Sequence, residues 1–453
     1  MSNGSLVEIS EWESNRRLPV SELNDTDRQL ASALREADGG RLLIDERRDG
    51  VYATAKSWIG VVRFTDFEVR VVSKLRGGNL GVVRMLDYAS GVDALRRYDA
   101  ARDLEAVGDD LIELIAWLFA DSVFRIVRDG LLSDYVGRED TLHALRGRLR
   151  VLEQVQRRFG RVDPLEVAFD EFETDIPENQ VLAAALEATR SVVRTPSVQR
   201  PIRRLHSVFA EACEPSANPL DTLESMPYTR RNEHYRSAHS LASLLLHRLA
   251  VRDLFTPGGT RSFAFLIDMN ELFELFVTRL VTDALRADNI HVHAQRRDRS
   301  IVKHDITDRT YSAIIPDLLL EGRYRGDLIR LPVDAKYKLY DTKKLNEADV
   351  YQAFFYAFAY AAETDRRHLA RAVILYPRST EGSDVALRVE THTGSTTARI
   401  QAVGVDVDGA LDAIAAGSIT PVTVPAIGRV RRFFRNVVAD VSGEEAWRLA
   451  SSA

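Results

Sequence analysis

Two aspartates and a lysine lie in two neighbouring apolar segments of the sequence, at a spacing that allows them to act together. The segments read IIPDLLL, which carries Asp317, and LPVDAKY, which carries Asp334 and Lys336. We expect both to be β-strands that pair as a hairpin through the polar connection Glu321–Asp327. Because side chains alternate faces along a strand, Asp334 and Lys336 project to one side, where Asp317 of the partner strand can meet them.

This trio predicts metal-dependent chemistry on a phosphate ester. Charged groups on the inner face of a sheet are costly unless they bind something. Asp317 and Asp334 suit Mg²⁺, which takes oxygen ligands and completes its shell with water and substrate phosphate. The carbonyl of Ala335 is a third candidate ligand. Lys336 would then orient or deprotonate the attacking water and neutralise the negative charge that develops on the phosphoryl group.

The helices on either side of the hairpin supply further candidates. In the helix before it, a rotation of roughly 100° per residue places Glu274 on the flank of an apolar stripe and Glu271 nearly opposite. We therefore expect Glu274 to reach the metal or its water and Glu271 to be solvated. In the helix after it, Gln352 and Tyr356 share a face, and Gln352 is the only amide in an apolar run. We expect its amide to bond the catalytic lysine or a DNA phosphate.

Less specific interpretations compete at these positions. A single Asp-x-Lys pattern arises by chance and is more often a surface ion pair, so the combination with Pro-Asp and Gln-x-x-x-Tyr is what favours catalysis. His291 and His293 are candidate metal ligands, but we favour the interpretation that they occupy alternate positions on the exposed face of a strand. The acidic run 170–175 is a candidate second carboxylate site, but we expect it to precede and cap a helix that begins near Pro177.

Length and residue pattern predict a multidomain α+β protein. At roughly 150 residues per domain, 453 residues correspond to about three domains. Residues 1–100 predict a β-rich domain with a helix that starts near Val82. Its strands are expected to form an antiparallel meander from the runs 41–46, 51–55, 58–63 and 67–72.

The middle region, residues 101–255, is predicted to be helical. Its apolar positions recur at intervals of three and four residues, most clearly from Leu111 to Val123 in a helix that ends near Gly130. The proline-rich stretch 216–227 is expected to be a loop within this region.

Residues 256–453 predict a mixed α/β domain after a boundary at Thr256-Pro257-Gly258-Gly259-Thr260. The expected elements are a helix at 269–287, strands near 291–293, 311–320 and 328–335, a helix at 349–363 and a strand at 372–376. The basic stretch 429–435 near the end is expected to be a solvated helix face.

Composition narrows the function classes. The chain has 61 basic and 67 acidic residues, a net charge of −6, so a nucleic-acid site must be a local basic patch. A single cysteine excludes a disulfide framework and fits a cytoplasmic protein. The apolar run 350–362 is too short to cross a membrane.

Lysine occurs only seven times, and five of the seven lie between Lys303 and Lys344. No Gly-Lys pair forms a Walker A loop, so a nucleotide would be bound by a partner.

The pattern of Asp317, Asp334 and Lys336 with Gln352 and Tyr356 resembles the PD-(D/E)xK nuclease superfamily. More narrowly, the chain resembles the McrC family, the nuclease subunits of McrBC modification-dependent restriction systems. The stretches that carry this resemblance are WIGV at 58–61, FEV at 67–69, LRGRL at 145–149, DEFETDIPEN at 170–179 and DMNELFE at 268–274.

The resemblance implies an endonuclease that works with McrB, a ring-forming AAA+ GTPase whose hydrolysis McrC stimulates through its amino-terminal domain. Recognition of 5-methylcytosine is then a property of the partner. By the same resemblance Asp317, Asp334 and Lys336 are the catalytic set, joined by Glu274. Candidates for contact with the GTPase, by charge alone, are Arg63, Lys74 and Arg76.

The sequence therefore predicts a cytoplasmic, Mg²⁺-dependent endonuclease subunit that acts on double-stranded DNA and binds no nucleotide itself. Its third domain, 256–453, is expected to be a PD-(D/E)xK fold with a mixed central sheet. One such site cuts one strand, so double-strand cleavage needs two copies. The alternatives are a stand-alone nuclease, a non-cleaving activator of a AAA+ NTPase, and a module in which the amino-terminal β domain reads methylated DNA.

Overall fold

The computed structural model describes residues 5–91, 110–249, 263–324, 327–338, 340, 344–361, 369–378 and 384–435. The chain forms two compact units, one from residues 1–101 together with 266–453 and the other from residues 102–265. The second boundary between the units, at residues 265 and 266, falls inside the strand Phe263–Asp268. The segment predicted to bind a partner and the segment predicted to be a nuclease therefore share one unit. The three domain boundaries expected from the sequence stay a prediction.

The amino-terminal part of the first unit contains two sheets. Its elements are β1 Ser5–Ser10, β2 Arg16–Arg17, α1 Asp25–Glu36, β3 Leu42–Arg47, β4 Gly50–Ala55, β5 Trp58–Arg63, β6 Phe67–Val72 and α2 Gly78–Ala89. The two predicted hairpins, β3–β4 and β5–β6, are present and antiparallel. The single meander is wrong, because β4 pairs with β2 and β3 while β5 lies in another sheet. Every residue of β5 is buried, and the strand is an internal one of its four-stranded sheet.

The second unit combines helices with a small sheet. Its elements are α3 Leu111–Asp129, β7 Asp134–Leu142, β8 Arg148–Leu149, α4 Val151–Arg158, β9 Leu165–Glu173, α5 Pro177–Arg190, α6 Pro196–Ala212, α7 Pro219–Ser225 and α8 Arg236–Leu249. The predicted end of α3 at Gly130 is confirmed, because this residue caps the helix at φ 99°.

Three expectations for this unit were wrong. The region is not helical throughout, because β7, β9 and β8 form an antiparallel sheet whose mostly exposed residues carry no clear apolar alternation. The acidic run 170–175 precedes a helix that starts at Pro177, as expected, but it does not cap this helix, and its first four residues end β9. The predicted loop 216–227 contains the short helix α7, whose first residue is Pro219.

The remainder of the first unit contains a mixed six-stranded sheet. Its elements are β10 Phe263–Asp268, α9 Met269–Leu285, β11 Ile290–Ala294, β12 Asp298–Lys303, β13 Thr310–Ile314, β14 Leu318–Tyr324, β15 Asp327–Ala335, α10 Glu347–Ala359, β16 Ala370–Arg378, β17 Val385–Glu390, β18 Thr396–Asp406, α11 Val407–Ala415 and α12 Pro425–Arg435. The strand order is β11-β14-β15-β16-β18-β17, with parallel pairs in the centre and antiparallel pairs at both edges. The strand expected at 311–320 is split in two, because Pro316 has no N–H for a sheet ladder.

The basic stretch 429–435 is not the solvated face that the sequence suggested. Helix α12 buries Val430, Phe433 and Phe434. Three of its four arginines form ion pairs: Arg429 with Asp384 at 2.5 Å, and Arg431 and Arg435 with Asp288. Within the described ranges, no helix combines the length and the apolar character needed to cross a membrane.

Helix α9 is held by residues from the amino-terminal part of the chain. Its Phe276 is fully buried, and the ring of Tyr88 in α2 lies 5.8 Å from it, edge to face. The hydroxyl of Tyr88 donates a hydrogen bond to Asp283 at 2.8 Å. Because α9 also packs against β11 and β15, α2 fixes the helix that carries Glu274 beside the six-stranded sheet.

Replacing Phe276 by alanine removes this packing and leaves a cavity. We expect the free energy of unfolding to fall by about 3–5 kcal/mol. The neighbouring Leu275 is half exposed, so Leu275→Ala should change it by less than about 0.5 kcal/mol. Urea denaturation followed by circular dichroism measures both variants. Equal losses in the two would show that burial of Phe276 does not hold α9.

Candidate active site

The hairpin β14–β15 brings the three predicted catalytic residues together at the end of the sheet. Leu318 pairs with Val333, so Asp317 lies just before β14 and opposite the end of β15. The backbone N–H of Ala335 donates a hydrogen bond to Oδ2 of Asp317 at 2.7 Å. The ammonium of Lys336 lies 2.9 Å from Oδ2 of Asp334.

The parallel neighbour of β15 fixes Lys336. Asp334 pairs with Ile374 in β16, and the N–H of Lys336 donates to the carbonyl of Leu375 at 2.8 Å. The backbone of Lys336 is therefore bonded even though β15 ends at Ala335. This ladder holds Asp334 and Lys336 on one face of the sheet, as the alternation of strand side chains predicted.

The two carboxyl groups are buried close to each other. Asp334 is only 2% exposed, and its Oδ1 accepts no hydrogen bond from the described residues. Burial and the neighbouring charge of Asp334 raise the pKa of Asp317 to about 6. Burial also raises the pKa of Asp334, although the ammonium of Lys336 opposes this shift. The site thus concentrates negative charge that a cation would stabilise.

The charge of Lys336 is set by the same carboxylates. Burial lowers its pKa, but the negative charges of Asp334 and Asp317 outweigh burial and raise the pKa above its usual value. Lys336 is therefore an ammonium at neutral pH and can donate hydrogen bonds.

Glu274 of α9 lies beside this trio, and Glu271 is exposed, as expected. Glu274 accepts a hydrogen bond from Nε2 of Gln295 at 2.7 Å. Burial raises the pKa of Glu274, and the charge of Asp317 adds to the shift. Gln295 is a residue that sequence reasoning missed. Its backbone N–H donates to the carbonyl of Asp317 at 2.9 Å, so it links α9 to the hairpin.

Gln352 and Tyr356 lie on one face of α10, but their partners differ from the expected ones. Nε2 of Gln352 donates to the hydroxyl of Tyr356 at 3.0 Å, not to the lysine. The hydroxyl of Tyr356 donates in turn to the carbonyl of Ile315 at 3.0 Å. Ile315 is two residues before Asp317, so this pair positions the backbone that carries the aspartate.

A second set of polar residues supports the segment after Lys336. Tyr337 is buried and donates from its hydroxyl to Glu11 at 2.8 Å. The ammonium of Lys338 donates to Asp349 at 2.7 Å. Neither Glu11 nor Asp349 was singled out from the sequence, because nothing in their local pattern distinguishes them from surface carboxylates.

The residues present fit a divalent cation bound by few protein ligands. Asp317 and Asp334 supply carboxylate oxygens, and Oδ1 of Asp334 accepts no hydrogen bond from the described residues. Over the described ranges, no group of three or more His, Cys, Asp or Glu side chains is arranged to hold a metal. A two-carboxylate site with a backbone carbonyl suits Mg²⁺, which keeps several of its waters.

Other candidates from the sequence lie differently. Arg63 is buried and its guanidinium pairs with Glu68 at 2.8 Å, so it is not available to a partner. Lys74 and Arg76 are exposed. His291 and His293 lie on β11, as expected, but only His291 is exposed, whereas His293 is half buried.

Comparisons with known proteins agree on one family. The model of the family described as McrBC 5-methylcytosine restriction system component matches residues 53–377. No curated protein matches the chain. A chain in the refined half-complex from the tetradecameric assembly of Thermococcus gammatolerans McrB AAA+ hexamers with bound McrC is 17% identical, with a TM-score of 0.60, covering 97% of this chain and 100% of that chain. At this identity the likeness shows a shared fold.

A second solved structure is also similar in part. A chain of the cryo-EM structure of the Thermococcus gammatolerans McrBC complex is 19% identical, with a TM-score of 0.45, and the match covers 61% of this chain and 87% of that chain.

The raised pKa of Asp317 makes a prediction for the metal-free protein. A buried carboxylate destabilises the folded state once it ionises, so the cost is absent below its ordinary pKa of 3.8 and complete above about 6. We expect Asp317→Asn to raise the free energy of unfolding by roughly 1–3 kcal/mol at pH 8 and to have little effect at pH 3.5.

Denaturation in EDTA at several pH values measures this difference. A gain that does not change with pH would contradict the buried-charge explanation. Saturating Mg²⁺ should stabilise the unchanged protein but not the variant, which has lost one ligand charge.

Proposed function

Because the chain belongs to the family of McrBC 5-methylcytosine restriction system components, we propose that it is the Mg²⁺-dependent DNA endonuclease subunit of such a system. Its catalytic fold is then of the PD-(D/E)xK type. The observation that carries the proposal is the convergence of Asp317, Asp334 and Lys336 at one end of the mixed sheet. A buried pair of carboxylates next to an ammonium is expensive for stability alone, which favours a catalytic role.

In this proposal the carboxylates of Asp317 and Asp334 and the carbonyl of Ala335 hold the cation. A Mg²⁺ ion held by these residues would supply Lewis acidity to the phosphate. Lys336, held as an ammonium, donates to the attacking water and faces the negative charge that develops on the phosphoryl oxygens. Glu274, fixed by Gln295, accepts a hydrogen bond from the same water and orients it.

The proposed partner is a ring-forming AAA+ GTPase, as in the McrB hexamers named for the similar structure. The sequence has no Walker A loop of its own, so nucleotide hydrolysis has to come from another chain. One catalytic centre cuts one strand, and we propose that two copies of this chain act together to cut both strands of 5-methylcytosine-containing DNA.

The second unit offers a surface for this partner. Large apolar side chains are exposed on its sheet and on the chain between β7 and β9, which we call the 134–173 surface: Tyr135, Leu145, Val151, Leu152, Val155, Phe159, Val162 and Phe172. Helix α4 has no buried residue at all. Exposed apolar side chains in this number are typical of protein–protein contacts, and the rings of Tyr135 and Phe172 lie 5.1 Å apart. We therefore propose this surface for the GTPase, in place of the amino-terminal residues that charge alone suggested.

Replacing Lys336 tests the catalytic proposal. We expect Lys336→Ala to lower DNA cleavage by at least ~100-fold, because the water loses its donor and the developing charge its counterion. The variant should still bind the partner and stimulate its GTPase. Lys303 is exposed and paired with Asp308, so Lys303→Ala is a matched control that should cut normally.

The measurement is plasmid cleavage in Mg²⁺ with and without the AAA+ partner. Cutting by the protein alone would favour a stand-alone nuclease. Stimulated GTP hydrolysis with no cutting by the unchanged protein would favour a non-cleaving activator. Unchanged cutting by Lys336→Ala would contradict the assignment of the lysine.

Placing charge on the 134–173 surface tests the partner proposal. Phe159 and Val162 are each 87% exposed, so aspartate at either position should leave folding intact. We expect Phe159→Asp to weaken partner binding by about 10-fold or more, because an anchor residue is lost and a charge is desolvated.

Ile306 is 88% exposed in the first unit, which makes Ile306→Asp the matched control. Surface plasmon resonance with immobilised partner compares the variants. Equal binding by Phe159→Asp and the unchanged protein would show that the partner contacts another face.

A further inference from the structure

A cavity opens beside the catalytic strand, and the proposed chemistry does not use it. Its volume is about 420 Å³, within the range of roughly 300–1,000 Å³ typical of small-ligand sites. Its walls come from both ends of the first unit and include Trp12, Lys74, Tyr337, Tyr340 and Lys344. Aromatic side chains and ammonium groups thus face one space.

Lysine is concentrated in this cavity. The chain has seven lysines, and Lys74, Lys338 and Lys344 line it. Lys338 pairs with Asp349. Lys74 and Lys344 are exposed, and the charge of Lys74 acts on the buried carboxyl of Glu11 and lowers its pKa against the larger effect of burial. Among the described residues that line the cavity, the only carboxylate is that of Glu11, which is 1% exposed. The accessible charge is therefore positive and suits an anion.

Trp12 is held at this cavity in a strained conformation. Its φ is 61°, in the left-handed region that large side chains rarely adopt. Half of its surface is exposed, and its ring has no aromatic or cation contact among the described residues. Strain of this kind persists where the surrounding structure imposes it, and it is commonest at ligand sites. A free indole face next to ammonium groups suits an anionic ligand with a flat ring.

The cavity adjoins the candidate active site. Tyr337 and Lys338 directly follow Lys336 in the chain, and both line the cavity. The negative charge of Asp349, the partner of Lys338, acts on Lys336 and contributes to its raised pKa. Two residues of the cavity wall thus lie one and two positions after Lys336 in the chain.

We propose that this cavity binds one nucleotide of the substrate strand next to the scissile phosphate. The ammonium groups of Lys74 and Lys344 bind its phosphates, and the ring of Trp12 stacks on its base, as aromatic residues do in single-strand sites. A base held in this way has left the duplex stack, so a single strand binds more tightly than a perfect duplex of the same length. This inference rests on the proposed nuclease function.

Strand binding by the full chain tests the inference without cleavage. A labelled single strand of about 12 nucleotides is titrated in EDTA and followed by fluorescence anisotropy. We expect Trp12→Gly to weaken binding about 5-fold or more. Glycine tolerates the left-handed backbone at this position, so the variant should fold. The double variant Lys74→Gln/Lys344→Gln should reduce the slope of log affinity against log salt by about 1.4.

Lys303→Gln removes one lysine outside the cavity and should change affinity less than about 2-fold. The inference is overturned if Trp12→Gly binds as the unchanged protein does, if Lys303→Gln weakens binding as much as the cavity variants, or if a perfect duplex binds more tightly than the single strand. It is also overturned if free deoxyadenosine monophosphate displaces the strand at micromolar concentration, which would indicate a site for free nucleotides.

Failure of the nuclease proposal would be seen separately. Plasmid cleavage by the unchanged protein reports on the catalytic function, and strand binding in EDTA reports on the cavity. Asp317→Asn should lose cleavage and keep strand binding.

Discussion

The repulsion between two buried carboxyl groups is the constraint on which the rest of the first unit depends. Asp334 is almost completely buried next to Asp317, and the ammonium of Lys336, 2.9 Å from Asp334, offsets part of their charge. The strand ladder from β14 through β16 holds the pair in place, and the Gln352–Tyr356 hydrogen bonds fix the backbone before Asp317. Burying two neighbouring carboxyl groups lowers the stability of the fold. This cost is consistent with a site that binds a cation and a phosphate and not with a purely structural role.

The amino-terminal residues belong to this arrangement although they are far away in sequence. Glu11 accepts a hydrogen bond from Tyr337, next to the catalytic lysine, and Tyr88 holds the helix that carries Glu274. Residues 1–101 and 266–453 form one compact unit. The proposed catalytic centre, the nucleotide cavity and the amino-terminal sheets are thus parts of one body, whereas the exposed apolar 134–173 surface lies in the other unit.

The sequence predicted what depends on local pattern. Membership of the McrBC family is confirmed, as are the hairpin that carries Asp317 and Asp334 and the helix that ends at Gly130. The predictions were wrong where the structure depends on contacts between residues that are distant in sequence. A local pattern does not reveal that the four amino-terminal strands are divided between two sheets. Nor does it reveal the left-handed backbone of Gln295, whose φ is 44°. The sheet of the second unit was missed because its strands are mostly exposed and lack an apolar face. The roles of Asp317, Asp334, Lys336 and Glu274 stay predictions.

The central claim is that Asp317, Asp334 and Lys336 form a Mg²⁺-dependent centre that cuts DNA. Its most direct test is cleavage of methylated and unmethylated plasmid by the purified chain with its AAA+ partner, GTP and Mg²⁺, compared with Asp334→Asn. The account predicts cutting of methylated plasmid only, dependent on Mg²⁺ and on the partner, and its complete loss in the variant. Cutting that persists in Asp334→Asn would contradict the account.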